Sequence, residues 1–156
     1  MRFLFFDRIL ELEPGARALA TKSVSVSDEC LPEHYRRRPV MPVTLVVEAL
    51  AQLAGWLHTI TQGFAIRTVL GLMEGVRVFG EVKPGVTLLL EVWTDFAHKD
   101  GATLHGEARV DGQVVLSVER FLFASRPEKD AAFIQKRREV FRYMSGDFRL
   151  PGEPAR

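Results

Sequence analysis

Residues 33–52, EHYRRRPVMPVTLVVEALAQ, run from a histidine and three arginines through two prolines into an apolar stretch that holds one acid, Glu48. Pro39 and Pro42, with Pro32 just upstream, fix φ and remove backbone donors, so the first half reads as a loop pinned by its prolines. From Thr44 the chain carries good helix formers with no breaker before Gly55, which predicts a helix of about four turns. Its apolar residues fall on every face, the pattern of a helix covered all round. Glu48 is then an acid set against an apolar wall. Between Thr44 and Leu57 there is no other acid and no base, so its carboxylate needs a proton or a partner. Gln52 lies one turn on, at i+4, on the same helical face. The nearest titratable residue upstream is His34, fourteen positions back.

Working outward, RFLFFDRILELEPGARALATKSVSVSDE reads as two strands joined at Pro14-Gly15, because that pair presets turn angles between β-formers. Beyond Gln62-Gly63 come RTVLGLMEGVRVFGEV, VTLLLEVWTDFAH, ATLHGEARV and QVVLSVERFLFAS, the last three separated by Asp100-Gly101 and Asp111-Gly112. Asp-Gly between alternating runs is a strong hairpin signal, and Lys83-Pro84-Gly85 makes a further turn. The second half is therefore expected to be a four-stranded antiparallel meander. With the first two strands it makes a sheet of about six, near the usual size. One long helix against one antiparallel sheet is an α+β layer arrangement. Phe133, Ile134, Val140, Phe141 and Met144 recur at helical spacing, predicting an amphipathic helix within residues 128–144. The tail RLPGEPAR is expected to be disordered.

Composition narrows the function classes. The chain has 156 residues, 47% hydrophobic, with 21 basic and 20 acidic side chains and a net charge of +1. That is one ordinary domain with ample core and no overall field to attract nucleic acid or an anionic membrane. The single cysteine, Cys30, cannot close an intramolecular disulfide, and the N-terminus has an acid inside its apolar run and no small-residue cleavage site, which favours the cytoplasm. The stretch from Val43 to Ile60 approaches spanning length but contains Glu48, Gln52 and His58, so it is expected to be a buried helix of a soluble protein.

A carboxyl that can hold a proton and a histidine that can be neutral make an acid/base pair. The helix start at Val43 and Thr44 adds unpaired N–H groups and a positive dipole end for a developing oxyanion. These groups together suit proton abstraction next to a carbonyl. The same residues also fit a structural acid that positions the helix through Gln52, with His34 on a solvated loop. His58, near the helix end, reads as a satisfied or partly exposed residue; His98 and His105 lack an acidic neighbour at useful spacing. Trp56 and Trp93 read as core or dimer contacts.

The stretch resembles the signature of the 3-hydroxyacyl-acyl carrier protein dehydratases of fatty acid synthesis, G-H-F-P-G-x-P-x-x-P-G followed by an acid and A-x-Q. His34, Pro39 and Pro42 match it, Tyr35 replaces Phe, and Glu48 keeps the family's separation from the histidine. The resemblance extends over residues 3–124, through FDRILELEPGARALATKSVSVSDE and GLMEGVRVFGEVKPGVTLLLEV. Departures are Glu33, Arg37 and Val43 where the family has glycine, Arg36 where it has proline, and Phe79 to Glu81 where it has a basic RRP.

The resemblance implies a hot dog fold, an antiparallel sheet of about six strands wrapped around one long central helix, over residues 1–125. Residues 126–156 would form an appended helix and flexible tail. It implies dehydration of a 3-hydroxyacyl thioester to the trans-2-enoyl thioester, with His34 as base and Glu48 as proton donor. Val43 would hold the thioester oxygen, with Pro42 and Gln52 beside the substrate. No metal or other cofactor is implied. The partners would be a thioester of acyl carrier protein or coenzyme A and a second copy in an edge-to-edge homodimer, or a hexamer built from three such dimers; each site would combine the histidine of one protomer with the acid of the other. Arg36, Arg37 and Arg38 are candidates for docking an acidic carrier face or coenzyme A phosphates. The fold also accommodates a thioesterase, or a non-catalytic acyl-binding or assembly subunit.

Overall fold

The computed structural model describes residues 4–28 and 38–146. The order is β1 (Arg8–Glu13), β2 (Arg17–Ser23), α1 (Val43–Thr61), β3 (Ile66–Val78), β4 (Thr87–His98), β5 (Gly101–Val110), β6 (Gln113–Pro127) and α2 (Ala131–Ser145). The strands form one six-stranded sheet in the order β1-β2-β4-β5-β6-β3, with each described pair antiparallel.

This corrects the expected meander. Only β4, β5 and β6 follow one another; β3 crosses to the far side and pairs with β6, while β4 pairs with β2. The reason is in the connections. Two-residue loops join β4 to β5 and β5 to β6, whereas residues 79–86 between β3 and β4, which include the expected turn at Pro84-Gly85 (Gly85 φ 92°), carry the chain across the sheet instead of closing a hairpin. At Asp111-Gly112 both residues have positive φ (49° and 79°) between the partners Val110 and Gln113, the mirror-image turn that matches strand twist. The other hairpin closes one residue earlier than its Asp-Gly suggested: His98 faces Gly101, leaving Lys99-Asp100 as the loop. Pro14-Gly15 does join β1 to β2, with Gly15 at φ 81° and Glu13 opposite Arg17. The alternating KSVSVSD leaves the sheet at Ser23; Val24 is buried and Val26 exposed.

Alternation builds the core. Ala18 and Ala20 of β2, Leu88, Leu90 and Val92 of β4, and Leu104 and Ala108 of β5 point to one face and are fully buried. Against them lie Leu50, Leu53, Ala54 and Leu57 of α1. Burying a Leu-sized side chain is worth roughly 1.5–3 kcal/mol, and this packing, rather than local propensity, holds the helix. Gly106 of β5 is where helix and sheet come closest: a Cβ there would sit 2.9 Å from Val92 Cγ1, 3.0 Å from the Glu91 carbonyl oxygen and 3.4 Å from Leu50 Cδ2.

Helix α1 runs 19 residues, past Gly55 and longer than expected. By length and composition it passes for a membrane span, but 61% of that window is buried inside the protein, as befits a core helix. It is not covered all round: Val43, Thr44 and Glu48 are exposed. Helix α2 falls within a residue or three of the expected limits. Asp130 caps it, accepting from the N–H groups of Ala132 (2.9 Å) and Phe133 (3.3 Å), and Gly146 ends it at φ 57°. Phe141 and Met144 are buried, and Phe141 meets the Phe64 ring at 5.7 Å. That contact, and Arg138 lying 4.8 Å over the same ring, hold Phe64 in its left-handed conformation, φ 68°. The sequence RLPGEPAR lies outside the described residues.

Candidate active site

The site is organised by the first three turns of α1. Pro42 stands at the N-cap with φ −55°, and its carbonyl accepts from the N–H groups of Leu45 (2.9 Å) and Val46 (3.3 Å). Among the described residues no side chain caps the helix. The N–H groups of Val43 and Thr44 have no acceptor within the helix by its geometry, and both residues are exposed, so the positive end of the helix opens outward. Val43 and Pro42 line a cavity of about 480 Å3 shared with Arg38, Met41, Phe79 and Glu81.

Glu48 lies little more than one turn further on. The sequence suggested a buried acid, but in the single chain it is exposed. The apolar run does surround it in sequence, yet the helix face that carries it looks away from the sheet's interior. Gln52 holds it: the amide Nε2 donates to Glu48 Oε1 at 2.8 Å, while Oε1 of the same amide accepts from the Phe5 N–H at 3.0 Å. The N-terminal segment thus fixes the amide, and the amide orients the carboxylate. Glu48 and Gln52 open a groove of about 240 Å3 that follows α1 past Gly55, Trp56 and Thr59. Its floor is Thr68 and Leu70 of β3 and Phe123 of β6; Arg137 of α2 stands at its far end.

The other candidate residues divide. His34, Arg36, Arg37 and Cys30 lie outside the described residues. Arg38 is described and donates to Glu81 at 2.9 Å, so the arginine-rich loop and the acid that replaces a basic residue in the later strand pair with each other. Both are exposed, and such pairs contribute about 0–1 kcal/mol. Among the described residues no group of three or more histidine, cysteine, aspartate or glutamate side chains could hold a metal ion.

The remaining histidines depart from expectation. His105 Nδ1 lies 2.7 Å from Asp95 Oδ1, and its ring stacks on Trp93 at 5.1 Å. His98 Nδ1 lies 3.3 Å from Asp100. Each has an acidic neighbour: Asp95 reaches His105 across the β4–β5 hairpin, and Asp100 reaches His98 from the turn of the same hairpin, two residues along the chain. His58 is fully buried with Nε2 2.8 Å from Ser125 Oγ, but its Nδ1 has no hydrogen-bond partner, so it is only half satisfied. Burial holds its pKa below the ordinary histidine value. Sequence reasoning missed Arg137 and Phe123 altogether. The basic run in KRREVFR marked an amphipathic helix, and nothing in it revealed that one arginine would reach the groove.

A helix packed on a six-stranded antiparallel sheet, with an acid and its amide partner at the mouth of a groove along that helix, is a hot dog architecture. The model of the FabA-like domain family matches residues 1–119, and the chain belongs to that family. More particularly, it is similar to enzymes named 3-hydroxyacyl-[acyl-carrier-protein] dehydratase FabZ. That of Roseiflexus castenholzii is 39% identical over 128 residues, covering 81% of this chain and 89% of the relative. That of Geotalea uraniireducens is 35% identical over 130 residues, covering 81% and 88%. Among solved structures, smu.793 from Streptococcus mutans bound to acetyl CoA superposes with a TM-score of 0.63 at 15% identity, covering 79% of this chain and 90% of that one. A hypothetical thioesterase with coenzyme A from Streptococcus pneumoniae gives 0.63 at 12% identity, covering 79% and 88%. At that identity these two establish the fold alone.

Proposed function

We propose that this chain removes water from 3-hydroxyacyl thioesters of acyl carrier protein, in fatty acid or related lipid synthesis. The observation that carries the proposal is Glu48, held by Gln52 at the mouth of an acyl-sized groove beside an uncapped helix start, in a chain 35–39% identical to FabZ enzymes. In this reading His34 takes the proton from C2, and the C2–H electron pair becomes the C2=C3 bond. The C3–O bond breaks as Glu48 gives its proton to the departing hydroxyl, which leaves as water. The thioester oxygen, which gains charge meanwhile, takes the Val43 N–H at the positive end of α1. Pro42 shapes that helix start. The proton taken by His34 returns to Glu48 through solvent between turnovers.

The dimer is part of the same proposal. Strand β3 is an edge strand of 13 residues, and Val69, Leu70, Leu72, Met73, Val76 and Val78 along it are all exposed. An edge this long and apolar invites pairing with another strand. A second copy meeting it about a two-fold axis would extend the sheet and cover the groove, since Leu70 belongs to both. It would also enclose the helix face on which Glu48 is exposed and bring the partner's loop to it, supplying His34 in trans. Association of three such dimers is compatible with this surface. Arg36 and Arg37, with Arg38 already engaged by Glu81, would meet the acidic carrier, and the cytoplasm is the compartment that supplies it.

The test is turnover. Purified protein is given 3-hydroxyacyl-carrier thioesters and formation of the conjugated enoyl thioester is followed beside His34→Ala and Glu48→Gln. Loss of activity in both variants supports the roles assigned; equal rates in all three proteins would sink them. Release of free thiol instead of enoyl product would identify a thioesterase, and neither product would leave an acyl-binding subunit.

A further inference from the structure

Arg137 lies in the groove that begins at Glu48, yet it comes from α2, beyond the family match that ends at residue 119. Its Nη1 donates to the Ile66 carbonyl at 2.9 Å, which ties α2 to the start of β3 and turns the guanidinium inward. The guanidinium carbon lies 5.1 Å from the Phe133 ring centre and 5.8 Å from that of Trp56. Two aromatic faces thus fix its plane and strip part of its water.

Its charge is poorly balanced. Among the described residues Arg137 makes no ion pair. The acid nearest to it electrostatically, Glu128, is engaged by Arg67 and by the N–H groups of Lys129 and Asp130, each at 2.9 Å. Burial lowers the pKa of Arg137, the neighbouring Arg67 lowers it further, and Glu128 offsets only part of this. A guanidinium has five N–H donors and stays charged in proteins. A half-buried one with a single protein acceptor described is suited to an incoming anion. The same end of the groove carries hydroxyls: Thr59 and Thr68 both line it, their Oγ1 atoms 3.1 Å apart. The groove is therefore acidic at its mouth, apolar along Leu70 and Phe123, and cationic and hydroxyl-rich at its end.

We infer that Arg137 is a specificity-determining residue that binds a carboxylate at the far terminus of the acyl chain, so that the favoured substrates are ω-carboxyacyl thioesters rather than methyl-ended ones. Carboxylate and guanidinium match as a bidentate pair. Chain length follows from the helix. From Glu48 to Trp56, eight residues at 1.5 Å rise, is about 12 Å. An extended chain advances about 3.5 Å for every three bonds, so roughly ten bonds separate the reacting carbons from the terminus.

The inference rests on the dehydratase reading for its substrate class, but its test does not depend on turnover. Dodecanoyl-CoA and the same thioester with a terminal carboxylate, in which about ten bonds run from C2 to the terminus, lack the 3-hydroxyl and cannot be dehydrated. Each is titrated into the protein with tryptophan fluorescence and calorimetry as readouts. The expected result is tighter binding of the carboxylate-ended ligand by about tenfold or more. That ratio should fall toward one in Arg137→Met and be partly restored in Arg137→Lys. Equal binding, or tighter binding of the methyl-ended ligand, by the unmodified protein overturns the inference without any variant. An unchanged ratio in Arg137→Met overturns it too, because an arginine that only staples α2 to β3, or one that reads the coenzyme A phosphates, affects both ligands alike. Failure of 3-hydroxyacyl turnover with the binding ratio intact would refute the dehydratase reading and leave the terminus site standing.

Discussion

Placing a charge on the open edge of the sheet separates the proposed dimer from the fold that presents it. Leu72 is 44% exposed and lies opposite Leu122, itself 41% exposed, in the β3–β6 ladder. In the free chain Leu72→Asp replaces a side chain that is partly open to water, so the change to the stability of one protomer is modest. In the proposed two-fold pair the exposed part of Leu72 is covered once in each protomer. Burying a whole leucine is worth roughly 1.5–3 kcal/mol, so losing the exposed 44% of two removes about 1.3–2.6 kcal/mol from association before any cost of burying carboxylates. That weakens self-association by roughly 10–10²-fold. Sedimentation equilibrium over a range of protein concentrations measures the constant directly, and circular dichroism checks that the variant folds. Dehydratase activity should fall in step with the dimer fraction, because in the proposed site His34 and Glu48 come from different protomers. A Leu72→Asp protein that stays dimeric refutes the β3 interface; a folded monomer with full activity refutes the shared site.

Other expectations follow from individual contacts. Glu48→Gln should lower kcat by about 10²–10⁴-fold, the usual contribution of a positioned proton donor, while the urea midpoint barely moves because the side chain is exposed. Phe141→Ala removes a fully buried ring that packs on Phe64, and should cost about 3–5 kcal/mol in denaturant unfolding. Asp130→Ala, which deletes the α2 cap, should cost about 0.5–2 kcal/mol in the same assay. His58 gives a pH signature. Its folded pKa lies below the unfolded value of about 6.5, so the unfolded chain binds the proton more readily, and the stability present above that pH declines as the pH falls toward the folded pKa. Unfolding midpoints at several pH values should show this slope, and His58→Gln should flatten it.

Much of the architecture was legible because short-range rules decide it. Pro14-Gly15 and Asp111-Gly112 place turns whose backbone angles only a few residues adopt, and the helical spacing of Phe133, Ile134, Val140, Phe141 and Met144 announces α2. The family resemblance rested on His34, Pro39, Pro42 and Glu48, whose spacing survives whatever their neighbours do. What the residues alone did not reveal lies between elements. The partner of β3 is chosen by the path of residues 79–86 and by the packing of α1, so counting runs along the chain produced a meander that the sheet does not contain. The acid facing His105 comes from across the β4–β5 hairpin, and the acid facing His98 comes from its turn, which is shifted by a residue from the expected Asp-Gly. The exposure of Glu48 follows from which side of α1 meets the sheet, and the apolar run around it gave no hint, because the face an expected second copy would cover is apolar as well. Arg137 reaches the groove because α2 is packed back on the fold through Phe141 against Phe64 and is tied to β3 by its own bond to the Ile66 carbonyl.

The strand order carries a consequence for how the chain assembles. The loops of the β4-β5-β6 hairpins bring together residues adjacent in sequence, and such pairing is fast. By contrast, β3 must find β6 across everything between Val78 and Leu116 at one end and between Ile66 and Pro127 at the other. Closing a longer loop adds only logarithmically to the free-energy cost, yet slow, non-local pairing sets the rate. The strand that floors the groove is thus joined to the sheet by a non-local pairing, and only that of β2 with β4 joins residues further apart in sequence. Until β3 docks, the newly made chain has neither the groove nor the exposed apolar edge, so the proposed recognition of substrate and of a second copy would begin together.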